Sequence, residues 1–294
     1  MTATATATQA DTALPTPAVP DAIQRELDTP VEPTPEQVER FQADGYLKWK
    51  DFFSPELLSF FDPVVTACLH ARNPLKDVPM EERSAYDRAF IQVGNLWAFN
   101  ETVKKLSTCV RAASAAANLM GVPGVRMYHD QALYKEAGGG FTPWHVDQHY
   151  WPIETPNTVT IWFPFTEVPV EKGPLMFGKE SHHKHIARDA AISEDSERII
   201  QEAIKSHRVQ EEMSGYALGE ASFHYGWTLH RAAPNTTDDA RRVLTVIYLE
   251  KDAVLTEPTT DAERWDAEKW MPGVKPGETV DGPLNPVLFP ADAG

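Results

Sequence analysis

The stretch Thr158-Val159-Thr160-Ile161-Trp162-Phe163 consists of β-branched and aromatic residues and is typical of a β-strand. Three further β-like runs occupy residues 127–134, 221–225 and 242–249, and turn-forming segments such as Gly138-Gly139-Gly140 lie between them. Many short strands that follow a helical region predict a mainly β fold with flanking helices, either a β-sandwich or a jelly roll.

Helical signals dominate the chain before residue 125. Residues 34–37, Thr-Pro-Glu-Gln, combine an N-cap, a first-turn proline and a capping box, so we expect a helix from there to about Gly45. The same cap-then-proline signal, followed by apolar residues at helical spacing, predicts a second helix over 54–71. An Ala-rich run predicts a third helix over 100–119.

The domain organisation follows from composition. Residues 1–33 are rich in Thr, Ala and Pro and have almost no large apolar side chains, so we expect a disordered N-terminal tail. Residues 34–294 are predicted to form a single domain, because no internal repeat and no second core is recognisable. A helical insertion is expected near residues 194–212.

Charge and cysteine content restrict the classes of partner. The net charge is −16, from 43 acidic and 27 basic residues, which disfavours nucleic acid and anionic membrane as partners. The two cysteines, Cys68 and Cys109, are too few for a disulfide framework. No apolar run approaches the roughly 18–20 residues that span a bilayer, and the N-terminus lacks the features of a signal peptide. These features predict a cytoplasmic protein.

A candidate metal site begins with the tripeptide His145-Val146-Asp147. Residues i and i+2 of an extended segment point the same way, so His145 and Asp147 can share one ion. His230 is a suitable third ligand, because it follows a strand-like stretch and precedes a polar turn. Two imidazoles and one carboxylate on one face of a metal are the ligand set of non-haem iron(II) oxygenases. The tripeptide alone is weak evidence and more often reflects a structural role.

Arg241, eleven residues after His230, raises the specificity of this interpretation. A guanidinium forms bidentate hydrogen bonds with a carboxylate and stays protonated, so it suits the distal carboxylate of 2-oxoglutarate. Arg241 and Arg242 point to opposite faces of the predicted strand, and one of them should enter the barrel. The sequence favours Arg241 but leaves the choice open.

The chain resembles the phytanoyl-CoA dioxygenase family of iron(II)- and 2-oxoglutarate-dependent oxygenases. The resemblance covers roughly residues 34–290, with motifs in the family's order. The matching segments are 37–53, 130–135, 142–147, 158–162, 173–182, 230–241 and 270–286. In two places the chain departs from the pattern: the Gly-Ser-His turn becomes Gly178-Lys179-Glu180-Ser181-His182, and Ala232 stands where some relatives carry a hydroxyl.

The resemblance implies a double-stranded β-helix, a cupin-like jelly roll, and it implies that His145, Asp147 and His230 bind iron. It also implies that Arg241 binds the C5 carboxylate of 2-oxoglutarate, with Gln131 and Trp162 lining the cosubstrate pocket and O₂ as the oxidant. Related halogenases replace the metal carboxylate by a small residue. Since Asp147 is retained, the resemblance favours hydroxylation over halogenation.

The substrate pocket is expected to be apolar, with few charged anchors. Its candidate residues include His149, which is also a rival metal ligand, and the full set is Phe90, Gln92, Trp97, Tyr134, His149 and Tyr150. Each of these could equally be a core residue. The charged run 261–268 is most simply a solvated helix, and Lys135 is by default exposed.

We therefore predict a dioxygenase that hydroxylates or otherwise oxidises a small organic molecule, and we expect this molecule to belong to secondary metabolism. Three alternatives stay open at this point. The first is desaturation, ring formation or epoxidation at the same site. The second is a non-catalytic metal-binding jelly roll, and the third is a cupin-like barrel that holds zinc for hydrolysis or isomerisation without O₂.

Overall fold

A computed structural model of the chain describes residues 14–186, 188 and 194–290. The helices are α1 Asp21–Asp28, α2 Pro35–Asp44, α3 Pro55–Arg72, α4 Ala85–Ala89, α5 Glu101–Ser107, α6 Val110–Met120, α7 Glu194–Ser206 and α8 Asp261–Trp270. The strands are β1 Tyr46–Trp49, β2 Ile91–Gly94, β3 Val125–Lys135, β4 Thr142–His145, β5 Thr158–Pro164, β6 Leu175–Gly178, β7 Glu211–Met213, β8 Ala221–Tyr225, β9 His230–Ala232, β10 Arg241–Glu250 and β11 Val287–Phe289.

Two antiparallel sheets form the centre of the structure. The larger sheet has seven strands in the order β1-β8-β5-β10-β3-β11, with β2 added to β3, and the smaller has four in the order β4-β9-β6-β7. All four strands predicted from β-like runs are present, with ends within two residues of those expected. The prediction of a mainly β fold with flanking helices is confirmed.

Strand β10 separates the helical layer from the interior between the sheets. It pairs with β3 on one side and β5 on the other. Its even-numbered residues Leu244, Val246 and Tyr248 are buried in the cluster that also contains the apolar faces of α2, α3 and α6. Its odd-numbered residues face the other way, because side chains alternate along a strand. The main core therefore lies on one side of the large sheet, and a cavity lies on the other.

The helix signals at 34–37 and 54–55 act as predicted. Thr34 Oγ1 accepts from the Gln37 amide and the Gln37 side chain accepts from the Thr34 amide, which completes the capping box. Gly45 ends α2 in the left-handed region at φ 87°. The prediction of one continuous helix over 100–119 is wrong. It is divided between α5 and α6, because the Thr108 hydroxyl donates to Lys104 O and the next residue, Cys109, is extended.

The N-terminal segment corrects the prediction of a tail over residues 1–33. Residues 1–13 lie outside the described part, but α1 buries Ile23 and Leu27 against the main core. The Glu26 carboxylate accepts from both the amide and the hydroxyl of Ser54. Order therefore extends upstream of Thr34. The low apolar content predicted disorder wrongly, because one short helix with two apolar residues four positions apart is enough to attach the segment to the core.

The helical insertion predicted near 194–212 contains α7 followed by β7. Ile200 and Ile204 of α7 pack with Trp144 and Val146, so the helix covers the segment around β4. None of the helices within the described ranges has the length and apolar character needed to cross a bilayer.

Leu27→Ala tests the role of α1. Because Leu27 is fully buried, we expect the substitution to lower the free energy of unfolding by about 2–5 kcal/mol, as for other core leucines. Urea denaturation followed by circular dichroism measures this change. Leu218→Ala, at a leucine that is 36% exposed, is the matched control. Equal midpoints for the two variants would show that α1 does not dock in solution.

Candidate metal centre

A cavity of about 660 Å³ lies between the two sheets. Its walls come from β2, β3, β5, β8 and β10 of the large sheet, from β4, β6 and β9 of the small sheet, and from α8. A volume of this size is typical of sites for small molecules and cofactors. The three predicted metal ligands and Arg241 all line this one cavity.

Strand pairing brings the two histidines together. His145 is the last residue of β4, His230 is the first of β9, and the two are directly opposite in the antiparallel register. Asp147 follows through the extended residue Val146. The Nε2 atoms of His145 and His230 lie 3.7 and 3.5 Å from Asp147 Oδ1. One ligand atom from each of the three residues falls within 4.8 Å of the others, so together they could hold a metal ion.

Both imidazoles have the form that binds a metal. His145 Nδ1 lies 2.8 Å from Pro143 O and His230 Nδ1 lies 3.0 Å from Thr228 O. A carbonyl can only accept, so each Nδ1 carries the hydrogen and each Nε2 presents its lone pair to the centre. Burial lowers the pKa of both histidines to about 4, so both are neutral at pH 7.

Asp147 is oriented by two residues that the sequence did not single out. Its Oδ2 accepts from Thr160 Oγ1 at 3.1 Å and from His224 Nε2 at 3.3 Å, which leaves Oδ1 toward the histidines. Burial tends to raise the pKa of this carboxyl, but His230 and the hydrogen bond from His224 outweigh it and hold the pKa well below its usual range. Thr160 and His224 are cross-strand partners on β5 and β8. Thr160 lies on the same face of β5 as Trp162. The alternation of side chains along this strand could therefore have identified Thr160 as a cavity residue from the sequence.

Arg241, rather than Arg242, enters the cavity. Arg241 is 1% exposed, and its guanidinium donates from Nη1 to Gly173 O and lies 5.3 Å from the centre of the Trp162 ring. Its Nε has no hydrogen-bond partner, and in the described ranges no carboxylate pairs with it. Burial lowers its pKa to about 10, so it remains charged at pH 7. Arg242 points the other way and forms an ion pair with Asp62 at 2.9 Å.

Lys135 is buried beside Arg241, its partner in the register between β3 and β10. The expectation of an exposed lysine is wrong. Its ammonium donates to Gly140 O and lies 3.5 Å from Thr142 Oγ1. Burial and then the neighbouring Arg241 lower the pKa of Lys135 to about 6, so it is mostly neutral at pH 7. Arg241 is therefore the fixed positive charge at this end of the cavity.

The other predicted pocket residues fall into two groups, those that line the cavity and those that lie elsewhere. Gln131, Trp162, Phe90, Gln92 and Tyr150 line the cavity.

Tyr134, Trp97 and His149 lie elsewhere, which corrects their prediction as pocket residues. Tyr134 faces the helical layer, where its hydroxyl meets Thr66 Oγ1. Trp97 lies in the main core, next to β3. His149 lies in the 3₁₀ turn Asp147–Tyr150, which ends the strand alternation, and its Nδ1 donates to Arg188 O.

Helix α8 lines the cavity, so the view of residues 261–268 as a simple solvated helix is wrong. Ala262, Trp265, Asp266, Lys269 and Trp270 all contribute to the wall. Trp270 stacks on His129 of β3, with ring centres 4.2 Å apart and planes at 20°. The spacing of these residues along the helix was the signal that could have revealed this face.

Glu197 of α7 braces the strand that carries His145. Its Oε2 accepts from the backbone amide of Trp144 at 2.6 Å, and its Oε1 accepts from Arg231 Nη1 at 3.3 Å. Arg231 lies in turn over the Trp144 ring, 5.1 Å from its centre. The insertion thus satisfies an outward-facing amide of β4, an edge strand, and fixes the segment next to the metal ligands.

Glu197→Ala should lower the free energy of unfolding by about 1–3 kcal/mol, because the Trp144 amide loses its acceptor. Glu202→Ala on the same helix is the control, since Glu202 and its partner Arg198 are exposed and such pairs contribute about 0–1 kcal/mol. Chemical denaturation of both variants in the same buffer measures the two free energies of unfolding. A loss no larger than that of the control would mean that Glu197 does not brace β4.

The sequence of the chain is similar to those of known proteins. The model of the family Phytanoyl-CoA dioxygenase (PhyH) matches residues 41–243. The chain is 23% identical over 220 residues to a methylphosphonate hydroxylase of Gimesia maris, which covers 73% of this chain and 80% of that protein. It is 20% identical over 229 residues to a probable alpha-ketoglutarate-dependent hypophosphite dioxygenase of Stutzerimonas stutzeri, covering 74% of this chain and 79% of that one.

Solved structures share the fold. The non-heme alpha ketoglutarate dependent carbocyclase SnoK from nogalamycin biosynthesis superposes with a TM-score of 0.69 at 22% identity, covering 88% of this chain and 99% of that one. EctD from S. alaskensis, solved with 2-oxoglutarate and 5-hydroxyectoine, gives 0.63 at 20% identity and covers 85% and 84%. The predicted cupin-like jelly roll is confirmed.

Proposed function

The chain belongs to the phytanoyl-CoA dioxygenase family, and we propose that it is an iron(II)- and 2-oxoglutarate-dependent dioxygenase that oxidises a small organic molecule. One observation carries this proposal. A His-Asp-His cluster and a buried guanidinium without an acidic partner line the same cavity. The first suits iron(II), and the second suits the free carboxylate of a keto acid.

His145, Asp147 and His230 would hold the iron. Their donor set of two neutral imidazoles and one carboxylate fits that ion, and the hydrogen bonds from Thr160 and His224 fix the carboxylate. When bound, iron(II) supplies the redox chemistry that couples oxidation of 2-oxoglutarate by O₂ to oxidation of the substrate. The retained Asp147 favours hydroxylation over halogenation.

Arg241 would bind the C5 carboxylate of 2-oxoglutarate. A buried guanidinium with an unpartnered Nε is costly unless an anion pairs with it, and a carboxylate accepts from two of its N–H groups at once. Trp162 lies against the guanidinium and Gln131 lines the same cavity, so both would border the cosubstrate. The surrounding burial strengthens this ion pair by excluding water.

The substrate is proposed to be a small organic molecule of secondary metabolism, and the fold shared with SnoK from nogalamycin biosynthesis supports this proposal. The cavity of about 660 Å³ has room for both a keto acid and such a substrate. Desaturation, ring formation and epoxidation remain alternative outcomes at the same site. A cytoplasmic location is proposed as well, since Cys68 and Cys109 are both free and buried.

Replacement of the metal ligands tests the enzyme class. We expect Asp147→Ala and His230→Ala to abolish succinate formation from 2-oxoglutarate in the presence of iron(II), ascorbate and O₂, because each removes a ligand. His149→Ala is the control, since this neighbouring histidine lies outside the cavity lining. Succinate is measured by liquid chromatography. Wild-type rates in either ligand variant would exclude the assigned ligands, and absence of succinate with the wild-type chain would favour a non-catalytic jelly roll.

Arg241→Met tests the cosubstrate site. Loss of a charged hydrogen-bonding partner should weaken 2-oxoglutarate binding by roughly 100-fold, since such hydrogen bonds contribute about 1.5–3 kcal/mol each. Calorimetric titration with Mn(II) in place of iron gives the dissociation constant. Arg242→Met, on the outer face of the same strand, should leave it unchanged. Equal affinities in the two variants would place the keto acid elsewhere.

A further inference from the structure

One face of α8 is turned toward the cavity. Its cavity-lining residues Ala262, Trp265, Asp266, Lys269 and Trp270 are separated by three or four positions and therefore lie on one side of the helix. An aromatic helix face normally packs into a core, yet Trp265 is 55% exposed. Part of this face is thus available to a ligand.

The α8 wall lies at the far end of the cavity from Arg241. Trp270 stacks on His129, and His129 pairs with Ile247 in the register of β3 and β10. Arg241 begins β10, so about 20 Å of strand separates its backbone from that of Ile247 at roughly 3.3 Å per residue. Thr160, which also pairs with Ile247, holds Asp147. The candidate metal centre therefore contacts the sheet near the α8 end.

Lys269 is a cavity cation whose charged neighbour is Asp266; burial lowers the pKa of Lys269, and Asp266 partly offsets this effect. Its ammonium lies 4.1 and 4.3 Å from the ring centres of Trp265 and Trp270, and it forms no ion pair within the described ranges. The nearby Asp266 is already engaged, because its carboxylate accepts from Tyr128 Oη and from Trp270 Nε1.

The other cavity cations are accounted for. Arg231 pairs with Glu197 at 3.3 Å, and Arg241 is the proposed partner of 2-oxoglutarate. Close packing holds the α8 wall in place, since a Cβ on Gly94 would lie only 2.5 Å from the Trp270 ring. Phe90 and Tyr150 add aromatic surface to the cavity. The aromatic lining of the cavity therefore suits a flat ligand.

Building on the proposed oxygenase function, we propose that this face of α8 binds the primary substrate, and that the substrate is an aromatic anion. Its ring lies against Trp265 and its carboxylate or phenolate pairs with Lys269. Aromatic rings favour offset or edge contacts with tryptophan, and the exposed ammonium of Lys269, held beside two indole rings, is accessible to an anion. The charged group of the substrate is thus bound at the end of the cavity opposite to the carboxylate of the cosubstrate.

The test uses 2-naphthoate and its neutral counterpart 2-naphthamide as probes. Both are titrated into the full chain and followed by quenching of tryptophan fluorescence, which needs neither iron nor turnover. We expect naphthoate to bind the wild type about tenfold more tightly than naphthamide, as expected for one charged hydrogen bond. Lys269→Met should reduce this ratio to about one without weakening naphthamide. Trp265→Leu should weaken both probes, with saturation-transfer NMR as the readout because a tryptophan is lost.

Lys275→Met is the matched control, because Lys275 is exposed just beyond α8 and does not line the cavity. It should keep the wild-type ratio. Equal affinity of the wild type for the two probes, no binding of either, or the same ratio in both lysine variants would overturn the proposal. Calorimetric titration of 2-oxoglutarate with Mn(II) reports separately on the proposed function, and Lys269→Met should leave that affinity unchanged.

Discussion

The alternation of side chains along β10 is the constraint on which the rest of the structure depends. Leu244, Val246 and Tyr248 hold the helical layer, whereas Arg241 and Thr245 face the cavity. A shift of one residue in register would exchange these two sets. It would place a guanidinium in the apolar core and leucine in the cavity, which is costly on both sides. The same pattern that secures the core therefore fixes the position of the candidate cosubstrate residue.

The cost of burying charge connects this architecture with function. Arg241 is buried with an unpartnered Nε, and its neighbour Lys135 is forced toward the neutral form by the same burial. Such an arrangement is unfavourable for the empty protein and becomes favourable when a carboxylate pairs with the guanidinium. We infer that keto-acid binding should stabilise the fold as well as prepare the site, because a ligand that binds only the folded state raises its stability.

Local signals in the sequence predicted much of the fold and the residues of the candidate metal centre. The capping box at 34–37 and the β-branched run at 158–163 act over a few residues, and the spacing of His145 and Asp147 needs only one extended segment. Alternation could also have excluded Tyr134, because it lies an odd number of residues from Gln131 on the same strand. Features that depend on distant contacts were not predictable in this way. The docking of α1 is one, and the attachment of α8 to β3 through Asn285 is the other.

The side chain of Asn285 holds α8, and thus the α8 wall of the cavity, against β3. Its side-chain amide donates to Met127 O and Tyr128 O of β3 at 3.2 Å and to Trp270 O at the end of α8 at 3.1 Å. The hydrogen bond from Tyr128 to Asp266 joins the same two elements. Because these bonds are buried, rotation of α8 away from β3 would leave several polar groups unsatisfied. The wall opposite Arg241 is therefore preformed, and a substrate is selected by its fit to a rigid aromatic surface with one ammonium.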